Sequence, residues 1–151
     1  MGRMHSQRKG QSKSTRPARR RPPEWNKRNS EWVIEKCIEL ARKGVSPSMI
    51  GLTLRDEYGV ASIKQIVGKS VIQILRDNNL SPPIPEDLLN LIKQAVNLRK
   101  HLENNKHDLH SKFGLQKVES KIHRLSKYYR KNGVLDPTWK YSPDRAELLA
   151  R

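Results

Sequence analysis

Three prolines within four residues, Pro82-Pro83-Ile84-Pro85, constrain this chain more than any other feature. Proline locks φ and supplies no amide donor, and it pushes the residue before it toward extended backbone. Neither a helix nor a central strand can run through such a segment. On both sides of it, apolar residues recur at helical spacing, and no stretch alternates convincingly as a strand does. The reading is therefore all-α. A small helical unit spans residues 29–79, a stiff Pro-rich linker spans 80–86, and a second helical unit spans 87–151. A different kind of segment, residues 1–28, precedes them.

In the first unit, Asn29 or Ser30 is placed to cap a helix carrying Trp32, Val33, Ile34, Cys37, Ile38, Leu40 and Ala41, closed by Gly44. Ser46-Pro47 restarts the chain with an N-cap oxygen followed by a proline where no donor is needed. That second helix carries Met49, Ile50, Leu52, Leu54 and Tyr58 and stops at Gly59. A turn with Val60, Ile63 and Ile66 follows, and Gly68 introduces a further helix with Val71, Ile72, Ile74 and Leu75. Helix, turn and helix at this size resemble a DNA-reading helix-turn-helix over residues 46–79, which is the alternative function. Residues 29–79 hold 7 basic and 6 acidic side chains, however, too balanced for a recognition helix.

In the second unit, Pro85-Glu86-Asp87 opens a long helix with two carboxylates at the positive end of its dipole. Leu88, Leu91, Ile92, Ala95, Val96, Leu98 and Leu102 form one apolar stripe, and Asn104-Asn105 loosens the helix end. A polar connector, residues 105–112, leads to another helix, expected to begin near Phe113 or Leu115. Leu115, Val118, Ile122, Leu125 and Tyr129 make its apolar face, so the two helices should pack as an antiparallel hairpin. Lys117, Lys121, Arg124, Tyr128 and Lys131 lie on the other face, and Gly133 ends the helix. In the tail beyond Asp136, Trp139 reads as a packing anchor, with about one helical turn from Pro143 to Leu149.

The charge balance narrows the function. The chain has 31 Lys and Arg against 15 Asp and Glu, a net charge of +16. Residues 1–28 hold 10 basic and 1 acidic residue, and residues 80–151 hold 14 and 8. Basic ends around a balanced middle point to a nucleic-acid backbone, where each neutralised phosphate releases counterions. The first segment has no apolar periodicity. It is read as an extended arm, disordered or ordered by RNA, with Arg3, Arg8, Lys9, Lys13, Arg16, Arg19, Arg20 and Arg21 as its contacts. Its first residues, MGRMHS, also fit an N-myristoylation pattern, which would make the chain a membrane-surface protein. That reading leaves the basic far end unexplained. No run is apolar enough to span a bilayer, and the lone Cys37 fits a reducing cytoplasm.

Enzyme chemistry finds no footing. His107, Asp108 and His110 share one solvated turn without the convergence a metal site needs. Ser111 and His110 are sequence neighbours with no third group to orient them, and no glycine-rich phosphate loop follows a strand. No cofactor and no metal are expected. The connector suits RNA better. Asp108 can accept from a guanine amino group or a 2′-hydroxyl in a shallow minor groove, Ser111 can donate or accept there, and His101 or His110 can donate to sugar or base. Lys112, Lys117, Lys121 and Arg124 would hold flanking phosphates. From periodicity alone, Asp108 could equally be a helix cap beside solvated histidines.

Several phrases resemble a known family. His101, Lys106-His107-Asp108-Leu109-His110-Ser111, Gly114-Leu115, Arg124-Leu125 and Tyr128 resemble the helix-hairpin motif of the universal small-subunit ribosomal protein fifteen family. The opening MGRMHS, residues 44–51 (GVSPSMIG), Leu54-Arg55-Asp56, Pro85-Glu86-Asp87, Arg99 to Glu103, Ile122 to Leu125, Tyr128-Tyr129 and Trp139-Lys140-Tyr141 resemble its longer archaeal and eukaryotic form. His110-Ser111 with Gly114-Leu115 looks more archaeal. The resemblance implies a non-enzymatic, cytoplasmic protein of the small ribosomal subunit. Such a protein binds ribosomal RNA at a central-domain three-way junction and a nearby minor groove. It implies minor-groove contacts at His101, Asp108 and Ser111, with His110 beside them, and junction contacts at Tyr128, Arg124 and Lys131. Neighbouring small-subunit proteins would be partners, and large-subunit RNA at the subunit interface a further candidate. The segment that contacts the junction in bacterial members is replaced here by Pro82-Pro83-Ile84-Pro85. A second bacterial histidine is Asn105 here.

Overall fold

A computed structural model describes residues 25–26 and 28–150. The basic-arm contacts expected between Arg3 and Arg21 lie outside the described residues. Seven helices follow in order: α1 (Ser30–Arg42), α2 (Pro47–Asp56), α3 (Ile63–Val67), α4 (Val71–Asp77), α5 (Glu86–Asn104), α6 (Leu109–Lys131) and α7 (Pro143–Ala150). Among the described residues there is no strand. None of these helices is long and apolar enough to cross a membrane.

The apolar side chains sort into two clusters. The first joins Val33, Cys37 and Leu40 of α1 to Ile50 and Leu54 of α2, Ile63 of α3, and Ile74 and Leu75 of α4. Three short helices thus cover one face of α1, each too short to persist without that burial. Burial pushes the Cys37 thiol up to about 11, consistent with its role as an apolar filler. Ser70 and Gln73 form a reciprocal capping box at the start of α4, satisfying two amides that the helix leaves without partners. Asn29 and Ser46 occupy N-cap positions without a side-chain cap bond, contrary to the expected Ser46 oxygen cap. The Ser46 hydroxyl instead lies 3.4 Å from that of Ser48. Residues 63–67, read as a turn, form the short helix α3. The second helix ends at Asp56, ahead of Gly59. Gly59 has φ +69°, and a Cβ there would come within 2.8 Å of the Trp25 ring. Trp25 lies over it, and the Asn26 amide donates to its carbonyl at 2.8 Å. The base of the basic arm is thus pinned to the α2–α3 turn, with the Arg28 guanidinium 4.1 Å from the centre of the Trp32 ring.

The second cluster contains Leu88, Ile92, Ala95 and Val96 of α5, Val118 and Ile122 of α6, and Ala146 of α7. Ile84 and Leu135 close its lower end. Ile84, between the prolines, is therefore a core residue. Two polar contacts set the antiparallel register of α5 and α6: Arg99 pairs with Glu119, and the Tyr129 hydroxyl donates to Asp87 at 2.6 Å. Burial, and then the Asp87 carboxylate, raise the Tyr129 phenol to about 12. The tail does more than a single turn could. After Gly133 the chain folds back, Trp139 and Tyr141 pack on the second cluster, and α7 lies along α5. Tyr141 meets His123 edge to face, with ring centres 5.8 Å apart.

Between the units, Ser48 at the start of α2 gives Glu86 its hydroxyl and its amide, the latter at 3.0 Å. Burial alone would raise the Glu86 carboxyl, but the Ser48 and Ser46 groups together outweigh it and the net shift is downward. Beside this link lies a cleft of about 570 Å³ lined by Pro47, Ile72, Pro82, Pro83, Tyr129 and Val134, among others.

Candidate nucleic-acid interface

The connector between α5 and α6 is shorter than its polarity suggests. α6 begins at Leu109, not near Phe113 or Leu115, so His110, Ser111 and Lys112 form its first turn. The cause is Asp108. Its carboxylate is the N-cap, accepting from the Ser111 amide at 3.0 Å, and this bond supports a helical start among residues with no apolar pattern. The same carboxylate receives the Ser111 hydroxyl at 2.6 Å on its other oxygen, Oδ2, which also lies 3.0 Å from His101 Nε2. His101, Asp108 and Ser111 thus meet at the tip of the hairpin. The Ser111 hydroxyl, its amide and then His101 hold the Asp108 carboxyl well below the usual carboxylate range, so it is ionised throughout neutral pH.

Counting lone pairs gives the tip its chemistry. Two donors occupy Oδ2, while Oδ1 takes one and keeps a lone pair. The Ser111 hydroxyl spends its hydrogen on Asp108, leaving its oxygen able to accept. What faces outward from this pair is therefore acceptor, matched to a donor on the partner. His110, one residue away, is exposed and takes no part in the cluster. Asn105 does take part. Its amide nitrogen stands 3.1 Å from the His101 carbonyl oxygen and 3.3 Å from His101 Nδ1.

The basic residues form a separate surface. Lys117, Arg124 and Lys131 recur every seven residues, two turns apart, so they line one side of α6 over about 21 Å. Lys121 and Tyr128 flank that line, and all five are exposed. Among the described residues none of these cations forms an ion pair. Ser111, two turns before Val118, lies instead in line with the inward face and is half-buried. The tip and the basic line thus occupy different sides of α6. Sequence reasoning missed Phe113, which is 66% exposed one turn before Lys117. Reading Phe113 as the helix start obscured its place on the outer face. The signal was the four-residue step from Phe113 to Lys117.

Fold and surface together define a class: a strongly basic, all-helical scaffold with an acceptor tip and a cationic flank, the equipment for holding a structured polyanion. Comparison with known proteins narrows it. The family described as ribosomal protein S15 matches residues 71–149, and the ribosomal S13/S15 N-terminal domain matches residues 1–60. Small ribosomal subunit protein uS15 of Schizosaccharomyces pombe is 51% identical over 149 residues, 99% of each chain. That of Staphylothermus marinus is 55% identical over 143 residues, 93% of each, and that of Methanococcus vannielii 50% over 149 residues, 99% of each. The chain belongs to the ribosomal protein S15 family.

Proposed function

We propose that this protein is a structural constituent of the small ribosomal subunit, working in the cytoplasm, that binds ribosomal RNA directly and helps its central domain assemble. Membership of the S15 family supports this, as does the distribution of charge. The hairpin supplies two kinds of contact. At the tip, Asp108 and Ser111 accept from a guanine amino group or 2′-hydroxyl in a minor groove, with His101 and His110 beside them. That groove displays the guanine amino group as its distinctive donor. Along α6, Lys112, Lys117, Lys121, Arg124, Tyr128 and Lys131 hold the phosphates and the three-way junction. Because the tip and the line of cations lie on different sides of α6, they suit two RNA helices diverging from a junction better than one straight duplex. Residues 29–79, with little net charge, serve as a packed support facing neighbouring small-subunit proteins, and the arm reaches further RNA. Large-subunit RNA at the subunit interface is a further partner in this reading.

The observation that carries the reading is the Asp108 carboxylate, an ionised acceptor held in a fixed pose by three contacts with one lone pair still open, on a protein of net charge +16. Crosslinking in cells followed by sequencing of the bound RNA tests it. Reads concentrated at one junction of the small-subunit ribosomal RNA are expected. Reads spread over messenger RNAs, or recovery of duplex DNA instead, would remove the reading.

A further inference from the structure

We propose that Asn105 is a positioning residue that fixes the His101 imidazole in its Nε2-protonated tautomer, so that His101 braces Asp108. This rests on the reading of Asp108 and Ser111 as an RNA contact. The argument starts from the backbone. The His101 carbonyl oxygen can only accept, so the Asn105 atom 3.1 Å from it is the amide NH₂. Turning the amide over would set its oxygen against that carbonyl oxygen. The same NH₂ faces His101 Nδ1 at 3.3 Å and needs an acceptor there, which only an unprotonated Nδ1 provides. The ring hydrogen is then on Nε2, 3.0 Å from Asp108 Oδ2, an atom that accepts. Three contacts agree on one tautomer. Asn105 is itself held, because it is the C-cap of α5 and its backbone amide donates to the His101 carbonyl at 2.9 Å.

The consequence is a chain of support. With Nε2–H on Oδ2, the carboxylate keeps Oδ1 and the Ser111 oxygen turned outward as acceptors. With the other tautomer, a ring lone pair would face Oδ2, and the carboxylate would have to rotate away from Ser111. Asn105 thus influences recognition through His101 and Asp108, without meeting the RNA.

Nitrogen-15 resonances of the histidines in the full chain, recorded at mildly alkaline pH, read the tautomer directly. In the wild type His101 is expected to show a protonated Nε2 and an unprotonated Nδ1. Asn105→Ala should mix the tautomers. Binding to a ribosomal RNA fragment carrying the junction gives the second arm. Asn105→Ala should weaken binding about three- to tenfold, within the coupling seen between hydrogen-bonded neighbours. It should cause no further loss once His101→Ala is present. A wild-type ring protonated on Nδ1 overturns the proposal, as do additive losses in the double variant. Failure of the underlying RNA reading looks different: Asp108→Ala would then weaken junction RNA and random duplex equally while the wild-type resonances stayed as expected.

Discussion

Ile122→Ala probes the packing on which the hairpin depends. Ile122 is fully buried in α6, against a core drawn from α5, α7, Ile84 and Leu135. The substitution removes roughly three methylene equivalents at about 0.8 kcal/mol each, a transfer loss of about 2.4 kcal/mol. The neighbours sit on two other helices and cannot collapse fully into the space, so a cavity term adds to it and a total of about 3–4 kcal/mol is expected. That is a large share of the roughly 5–15 kcal/mol that holds a small domain folded. For a unit of this size it corresponds to a Tm lower by roughly 12–32 °C. Thermal melting followed by circular dichroism reads it, with Ile72→Ala as control. Ile72 is 48% exposed, and its truncation should change stability by no more than about 0.5 kcal/mol. A loss below about 1 kcal/mol for Ile122→Ala, or one no larger than the control's, would refute the packing of α6 on α5.

Other expectations follow from single contacts. Gly59→Ala should destabilise by about 1–2 kcal/mol, because the left-handed backbone and the Trp25 ring both oppose a Cβ. Gly51→Ala, with open space inside helix α2, should stabilise by about 0.5–1 kcal/mol; urea titrations compare the two. The Tyr129 phenol, raised to about 12, contributes stability that is complete below its unfolded value near 10 and lost as pH rises toward 12. In Asp87→Asn it should ionise at lower pH, visible in the ultraviolet titration of tyrosinate. An unchanged titration would show that Asp87 does not act on it. Cys37, pushed up to about 11 by burial, should react with a thiol reagent only as fast as the first unit opens. Rapid labelling of the native chain would contradict its burial.

The helices were legible where apolar residues recur, and the prolines fall where the first apolar cluster gives way to the second. What escaped was set by contacts distant in sequence or by caps. Asp108 starts α6 among polar residues, so periodicity placed the helix too late. α7 carries little apolar surface and is held by its packing along α5, which its own sequence does not display. The Arg99–Glu119 and Asp87–Tyr129 contacts join residues 20 and 42 positions apart, and only the folded hairpin brings them together. At the tip, His101, Asp108 and Ser111 could be picked out as polar residues with RNA-binding chemistry. Asp108 proved to be a cap, and capping leaves it a free lone pair, so the two uses open at the outset are not exclusive. Which of their atoms remain open depends on Asn105, whose part no spacing rule reveals.

The most direct measurement is the equilibrium affinity of the full chain for a junction-bearing ribosomal RNA fragment, set against a random RNA duplex of equal length. The wild type should prefer the junction. Asp108→Ala should erase much of that preference, while Lys121→Ala should weaken both RNAs alike and lower the salt slope by about one. A wild type without preference, or an Asp108→Ala variant that loses equally on both RNAs, would contradict the account.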